Sequence, residues 1–319
     1  EFDALNVLVL GGDGESSEGK LQVWGVGAGA AMLRGAAAFL KALRLERPDV
    51  ITVQDPFENG LLGCVIAWWK KVPLHAQVHT DFMRKEFVRH SFLNRIRGMI
   101  AGFVLQRATR IRVVSEGIKE SLQAPSSQHQ AISVLPIFVD IEKYAGLVRT
   151  KHDRFKIALL WVGRLEKEKD PLFAIQLLEI VRKMGHDAGL TIVGAGSEEE
   201  KLRGYVRARG MERFVDFKGW QEDLRPHFSS ADILLVTSHY EGYGMGMIEA
   251  LAAGVPVLSL DVGVARESGA MVFQRKEMGR ALLDWIAHGP RKGELLSYPY
   301  TSKEEYVRAW CEDVRATAS

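Results

Sequence analysis

The chain has 319 residues, of which 47% are hydrophobic and 26% charged. This length predicts two domains with sizeable cores, and the composition excludes disordered, collagenous and coiled-coil proteins. The formal net charge of +2 is too small to indicate general nucleic-acid binding. The two cysteines, Cys64 and Cys311, lie in different halves and form no paired motif, so we expect neither a disulfide framework nor a zinc cluster.

Short apolar runs alternate with segments of helical period along the whole chain, a pattern typical of parallel α/β folds. In the first half it predicts strands at residues 6–10, 50–53, 74–78, 111–114 and 132–135, and helices at 31–44, 60–70, 87–106 and 116–122. In the second half it predicts strands at 156–162, 189–193, 215–217, 233–236 and 257–260, and helices at 171–183, 197–209, 245–253 and 277–287.

A polar stretch with weak periodicity, residues 144–154, separates the two halves and is interpreted as a linker. The predicted fold is therefore α/β, with two Rossmann-like domains that face each other across a cleft. We assign residues 1–150 to the first domain and 151–300 to the second. An amphipathic helix is predicted within 301–319, and we expect it to pack back towards the first domain.

A glycine-rich stretch follows the predicted strand 233–236 and opens the next helix. Its glycines are Gly242, Gly244 and Gly246. They permit a tight turn whose N–H groups can approach a ligand, and the positive end of the following helix favours a phosphate. The alternative is a turn needed only for strand-to-helix geometry, which Glu241 and Glu249 disfavour. Eight helical residues span roughly 12 Å, so separate roles for these glutamates are favoured over a hydrolytic pair.

A second candidate group follows the first strand of the second domain, where doubly wound sheets bind ligands. Arg164 and Lys169 are five residues apart in this loop, and both can reach one diphosphate, the arginine through its planar fork. The alternative is ordinary surface charge, which applies more readily to Lys169, in a run of lysines and glutamates, than to Arg164, which follows Gly163.

Together with further motifs, these two groups of residues make the second half resemble the nucleotide-sugar-binding domain of the retaining glycosyltransferases of family four, which have the GT-B fold. The matching motifs are Val-Gly-Arg-Leu at 162–165, Ile-Val-Gly-Ala-Gly at 192–196, Phe-Lys-Gly-Trp at 217–220, Ser-x-x-Glu-Gly-Tyr-Gly at 238–244 and Ala-Leu-Ala-Ala-Gly-Val-Pro at 250–256. In the first half, residues 48–55, 77–81, 114–116 and 135–136 also look like this family.

The resemblance implies that Arg164 and Lys169 hold the donor diphosphate. It implies that Glu249 binds the ribose and that Glu241 lies beside the transferred sugar. His79, from the opposite domain, would touch that sugar, although a lone histidine after a strand is otherwise more often structural. Further donor contacts are implied for Gly163, Gly194, Gly196, Gly219, Trp220, Gly242, Tyr243, Gly244, Met245, Gly246 and Met247.

The implied reaction moves a hexose from a UDP- or GDP-sugar to a glycan or glycolipid, such as a cell-envelope polysaccharide, with retention of configuration and no metal. Two alternatives stay open: a nucleotide-sugar epimerase or hydrolase on the same fold, and a non-catalytic nucleotide-sugar-binding remnant. A dinucleotide site at the glycines of 25–29 is disfavoured, because Glu46 and Asp49 come before the next predicted strand and Asp55 lies further on than the roughly 20 residues expected of a ribose-binding acid.

Residues 84–112 carry eight Lys or Arg side chains against one acid, Glu86. They predict either a solvated helix face or a contact with an anionic membrane. No apolar run reaches the roughly 18–20 residues of a spanning helix, and no signal peptide is predicted. We therefore expect a cytoplasmic protein, peripheral on the inner membrane face.

Against the family pattern, only residues 1–47 precede the matching stretch 48–55, which contains the strand predicted at 50–53, and the polar stretch 13–20 does not open a helix. We expect that one β-α unit of about 30 residues is absent from the first domain.

Overall fold

The computed structural model describes residues 2–10, 14–26, 31–123 and 131–318. The chain begins with β1 (Leu5–Leu10), β2 (Glu15–Glu18), β3 (Leu21–Val26) and α1 (Ala31–Arg44). β3 pairs in parallel with β1 and antiparallel with β2, which gives a small three-stranded sheet. The sequence pattern missed β2 and β3. β2 consists of four exposed polar residues and offers no apolar alternation. A hairpin of β2 and β3 thus follows β1, whereas the polar composition predicted only that no helix begins there.

The rest of the first domain is a parallel sheet with the order β4-β5-β6-β7. Its elements are β4 (Ile51–Val53), α2 (Glu58–Lys70), β5 (Leu74–Val78), α3 (Lys85–His90), α4 (Phe92–Leu105), β6 (Arg110–Val113), α5 (Glu116–Leu122) and β7 (Ile132–Val134).

The single helix predicted at 87–106 is wrong, because Ser91 divides it into α3 and α4. Ser91 is extended (φ −157°, ψ 158°), and its hydroxyl accepts the N–H of Asn94 at 3.1 Å. A serine in this conformation satisfies an N–H group of the next helix, so it starts α4 rather than continuing α3.

The second domain is a six-stranded parallel sheet with the order β10-β9-β8-β11-β12-β13. Its strands are β8 (Ile157–Val162), β9 (Ala188–Val193), β10 (Val215–Gly219), β11 (Ile233–Val236), β12 (Val257–Ser259) and β13 (Met271–Val272). Its helices are α6 (Pro171–Lys183), α7 (Glu199–Ala208), α8 (Arg225–Ser230), α9 (Met245–Ala252), α10 (Ala265–Ser268) and α11 (Met278–His288). The strand order reverses between β8 and β11, and such a reversal opens a ligand-binding crevice at the carboxyl ends.

Apolar side chains cover both faces of the second sheet. The core of the first domain, by contrast, includes three buried side chains from the second: Tyr243, Ile248 and Val264. The two domains are therefore in direct apolar contact beside the crevice.

The last helix, α12 (Lys303–Ala318), lies against the first domain, where its Asp313 accepts hydrogen bonds from His75 Nε2 at 3.0 Å and Arg110 Nε at 2.6 Å. Burial opposes the ionisation of Asp313, but hydrogen bonds from His75, Ser133 and Arg110 outweigh it and lower its pKa to about 2. Across the described ranges, no helix combines the length and apolar composition needed to cross a membrane.

Candidate functional site

The loops that follow β8, β9 and β10 are hydrogen-bonded to one another at the carboxyl edge of the second sheet. Gly163 N–H donates to Val193 O at 3.0 Å, and Gly194 N–H donates to Gly219 O at 2.7 Å. A side chain is excluded at Gly194, whose φ is +140°, because its Cβ would lie 1.8 Å from Gly163 O. Gly196 is equally restricted, since a Cβ there would lie 2.5 Å from a backbone oxygen of the loop after β8. The glycines thus allow these loops to pack backbone to backbone.

Lys169 and Glu241 meet across the crevice between β8 and β11. Lys169 Nζ lies 2.6 Å from Glu241 Oε2, and Ser238 Oγ donates to Glu241 Oε1 at 2.7 Å. Thr237, which follows β11, holds the two loops together, since its Oγ1 lies 2.8 Å from the backbone oxygen of Asp170 in the loop after β8. The carboxylate therefore has a fixed orientation, with one cation and one hydroxyl as its partners.

Arg164 stands at the rim of the crevice with its guanidinium largely exposed. It forms an ion pair with Glu168 at 2.9 Å, with 70% of the arginine side chain exposed. Exposed pairs of this kind contribute little stability, so the guanidinium can exchange Glu168 for an anionic ligand at small cost.

Helix α9 begins at the same edge, with Gly244 as its N-cap at φ 96° and no side-chain cap. Met247 N–H donates to Gly244 O at 2.9 Å, and the Met247 side chain is buried. The space around Gly246 is open, and Met245 is exposed. The first turn of a helix leaves N–H groups without intrahelical partners, and its dipole favours an anion there.

The turn before α9 touches the first domain. A Cβ on Gly242 would lie 1.7 Å from His79 O, and Ser115 Oγ donates to Gly242 O at 3.2 Å. The ring of Tyr243 is buried in the core of the first domain. Tyr243 and Met247 can therefore contribute only backbone groups to a ligand in the crevice.

His79 directly follows β5, and its Nε2 is buried without a hydrogen-bond partner among the described residues. Burial and the positive charge of Arg112 lower the pKa of His79 to about 4. The imidazole is therefore neutral at pH 7. It lines a cavity together with Arg112 and side chains of α12, whereas the backbone oxygen of His79 is the atom that lies beside the Gly242 turn of the other domain.

Glu249 lies on α9, whereas Glu241 precedes that helix, and the two glutamates have different partners. Tyr144 Oη donates to Glu249 Oε1 at 3.4 Å, and burial raises the pKa of Glu249. Trp220 stands 71% exposed after Gly219, whose φ is +67°. A flat exposed ring at the end of β10 is available for stacking.

The residues proposed from sequence in the second domain thus lie in the loops at the carboxyl edge of its sheet and in α9. The backbone of His79 approaches them from the first domain, but its side chain lines a cavity of that domain. Sequence reasoning missed Ser238, Asp170 and Arg275. Ser238 could have been proposed, because it is the first residue of the Ser-x-x-Glu motif. Arg275 could not, because it lies in a distant loop and contacts Asp170, at 2.5 Å, only in the folded protein.

The glycine cluster at 25–29 lies largely outside the described residues. No trio of His, Cys, Asp or Glu suited to a metal ion occurs in the described part of the chain.

Two family models match this chain. The model for group 1 glycosyl transferases matches residues 149–271, and that for the glycosyl transferase 4-like domain matches residues 7–137. Among curated proteins, the lipopolysaccharide 1,6-galactosyltransferase of Salmonella typhimurium is 33% identical over 46% of this chain and 42% of its own length. The glycogen synthase of Mycobacterium tuberculosis is 27% identical over 76% of this chain and 60% of its own length. The chain therefore spans less than two thirds of either relative.

Solved structures show the same fold. The Anabaena HepE protein, crystallised with UDP and glucose, has a TM-score of 0.67 at 16% identity, covering 94% of this chain and 81% of its own. A lipopolysaccharide outer core galactosyltransferase has a TM-score of 0.66 at 20% identity, covering 93% and 84%. With the two family models matched in order along the chain, the protein belongs to the group 1 glycosyltransferases with a family four-like first domain, and it has the GT-B fold.

Proposed function

We propose that the chain transfers a hexose from a UDP- or GDP-sugar to a glycan or glycolipid acceptor with retention of configuration. The observation that carries this proposal is the meeting of Lys169, Glu241 and the uncapped start of α9 at one strand-order reversal. Cations and helix N–H groups suit a diphosphate, and a fixed carboxylate suits sugar hydroxyls. UDP is the first nucleotide to test, because a structural neighbour was crystallised with UDP and glucose.

In this proposal the leaving diphosphate gathers negative charge as the glycosidic bond breaks. Arg164, Lys169 and the first N–H groups of α9 stabilise that charge electrostatically. Glu241 orients the sugar, and the departing phosphate helps to deprotonate the acceptor hydroxyl on the same face. The protein's own cations take the role that a divalent metal has elsewhere, so we expect full activity in the presence of a chelator.

The test begins with thermal shifts for UDP, GDP and ADP, followed by turnover of a panel of matching donor sugars. A transferase is expected to show stabilisation by one uridine or guanosine nucleotide and slow donor hydrolysis that an acceptor accelerates. Binding of a nucleotide without transfer or hydrolysis would instead support a nucleotide-sugar-binding protein. Release of free sugar that no acceptor redirects would support a hydrolase.

An epimerase or hydrolase is less well supported by the carboxylates of the crevice. Glu241 is held by Lys169 and Ser238, whereas Glu249 is hydrogen-bonded to Tyr144. These separate surroundings do not form the paired acid and base that hydrolysis of a glycoside requires.

We further propose that the first domain docks on an anionic membrane through α2 and α4, which pack side by side. Their outer faces expose large apolar side chains, among them Leu61, Val65, Trp68, Trp69, Phe92, Met99 and Phe103. Arg95 is exposed beside them, and the Arg107 guanidinium stacks on Phe103 at 3.6 Å. Aromatic and basic side chains on one face suit a headgroup boundary.

The structure corrects the sequence-based outline of this surface. Of the cations in 84–112, Arg112 is buried, Arg110 pairs with Asp313, and Arg84 pairs with Asp81 at 2.9 Å. These three side chains are engaged within the protein, so the docking surface consists of α2 and α4 rather than the whole basic segment.

Vesicle sedimentation tests this docking surface with phosphatidylglycerol-containing and purely phosphatidylcholine vesicles at low and high salt. We expect binding to the anionic vesicles alone, reduced by salt and lost in Trp68→Glu. Leu296→Glu, which changes an exposed leucine of the second domain, is the matched control. Equal binding by Trp68→Glu and the unchanged protein would contradict the assignment.

A further inference from the structure

One face of the first domain's parallel sheet is polar, and α12 covers it. A chain of hydrogen bonds crosses this face. Arg112 Nη1 donates to Gln77 Oε1 at 2.5 Å, Gln77 Nε2 donates to Thr52 Oγ1 at 3.1 Å, and Thr52 Oγ1 lies 2.9 Å from His75 Nδ1. His75 then donates to Asp313, the carboxylate that also binds Arg110. Polar groups are thus integrated into the interior of this domain.

Arg112 carries the charge at the other end of this chain of hydrogen bonds, and it is only 2% exposed. Its Nε and Nη2 donate to Leu135 O at 3.2 and 3.0 Å, and Nη2 also donates to Pro136 O at 3.4 Å and lies 3.3 Å from Tyr306 Oη. All three guanidinium nitrogens therefore have acceptors, and every one of these acceptors is neutral. Within the described part of the chain, no carboxylate lies within ion-pair distance of this guanidinium, and Asp313 is taken by His75 and Arg110. The neutral acceptors satisfy the hydrogen bonds of Arg112 but leave its charge without a counter-ion, which is costly for a buried cation. An anion in the adjoining space would supply that counter-ion.

A cavity of about 320 Å³ opens beside Arg112 at the carboxyl ends of the strands. Its polar lining comes from Gln54, Gln77, His79 and Arg112, and its aromatic lining from Tyr306 and Trp310 of α12. His79 Nε2, the buried nitrogen without a described partner, belongs to this lining. The volume lies at the lower end of ligand sites, which run from roughly 300 Å³ upwards, and suits a single sugar ring.

We propose that this cavity binds one sugar unit of the acceptor and that this unit carries an oxyanion, either a carboxylate or a phosphate. The inference rests on the proposed transferase function and adds the class of acceptor. Arginine pairs with oxyanions through its planar fork, amides and imidazole bond to hydroxyls, and aromatic faces pack on a sugar ring. A neutral sugar would fill the same space but leave the charge of Arg112 unpaired.

The test is saturation-transfer NMR on the full chain with UDP at saturation, so that the crevice of the second domain is occupied. The probes are methyl glucuronide, glucose 6-phosphate and methyl glucoside. We expect an anionic probe to bind at least tenfold more tightly than the neutral glucoside, as loss of a charged hydrogen-bonding partner implies. The first two probes distinguish a carboxylate from a phosphate.

Substitutions of the lining residues test whether the probes bind in this cavity. Arg112→Met is expected to remove the preference for the anionic probe, and Trp310→Ala to weaken all three probes at least fivefold. Gln54→Leu changes an exposed lining residue and is expected to weaken sugar binding if Arg112→Met fails to fold. Arg97→Met, on the outer face of α4, is the control and should bind like the unchanged protein.

Two results would overturn the inference: equal binding of the anionic and neutral probes, or no sugar binding by a protein that still binds UDP. Because UDP binding is measured on the same samples, failure of this inference is distinguishable from failure of the proposed function, which would appear as absence of nucleotide binding.

Discussion

The two parallel sheets of this protein share one architecture but place their charge in different positions. In the second domain, the buried polar side chains of the described residues are the hydroxyls of serine and threonine, and charged groups occupy the carboxyl edge. In the first domain and α12, the buried set includes His75, Gln77, Arg112 and Asp313. Charge at an edge can be exchanged for a ligand, whereas charge inside a domain is part of its folded structure. We therefore expect changes at the edge of the second sheet to affect binding and changes among the buried groups of the first domain to affect stability. Arg112, which also lines the proposed acceptor cavity, is expected to affect both.

The strongest test of this comparison is Asp313→Asn, which removes the carboxylate of the buried polar layer. We expect a loss of about 4 kcal/mol in the free energy of unfolding, measured by denaturant titration, because the partly buried Arg110 loses its counter-charge. Asp284→Asn, which breaks an exposed pair with Arg280, is the control and should change stability by less than about 0.5 kcal/mol. A loss below about 1 kcal/mol for Asp313→Asn would mean that the Asp313–Arg110 pair contributes no more than an ordinary surface pair, which would contradict the comparison.

A second test concerns the contact between the two domains at Gly242. Gly242→Ala places a Cβ against His79 O, so we expect a loss of about 3 kcal/mol in stability and loss of donor turnover. Gly246→Ala, in open space one turn later, is the matched control and should retain its stability. If both variants unfold alike, the close approach of the two domains at this turn is not a determinant of stability.

The pH dependence of stability tests the burial of His79. Its pKa is lowered from 6.5 to about 4 on folding, so its contribution is fully present above pH 6.5 and is lost as the pH falls towards 4. We expect a loss of about 2 kcal/mol between pH 7 and 4.5. His79→Gln should flatten this part of the profile, as measured by thermal unfolding across that range, and an unchanged slope would contradict the burial.

Much of the fold can be predicted from the sequence. The strands of both parallel sheets are near-continuous apolar runs between turn residues, so β5, β11 and helix α6 match their predicted bounds. The short elements α8, α10 and β13 are below the length at which a period can be recognised. The break at Ser91 depends on one side-chain hydrogen bond, which an average over a helical window conceals.

The candidate sites likewise contain residues that the sequence predicts and residues that it does not. Arg164, Lys169 and Glu241 could be proposed because they lie within recognisable motifs at strand ends. The polar layer beneath α12 could not, because it joins residues of β4, β5 and β6 to a helix that lies far along the chain. Such a layer exists only once the chain has folded, and no local pattern indicates it.

The most direct test of the central claim, that the edge of the second sheet binds a nucleotide diphosphate, is calorimetric titration with UDP or with whichever nucleotide stabilises the protein. We expect Arg164→Ala to abolish detectable binding while leaving thermal stability unchanged. Arg280→Ala, which removes a 90% exposed arginine of the same domain, should bind as the unchanged protein does. Full affinity in Arg164→Ala would contradict the account, because the proposed contact with the diphosphate would then not exist.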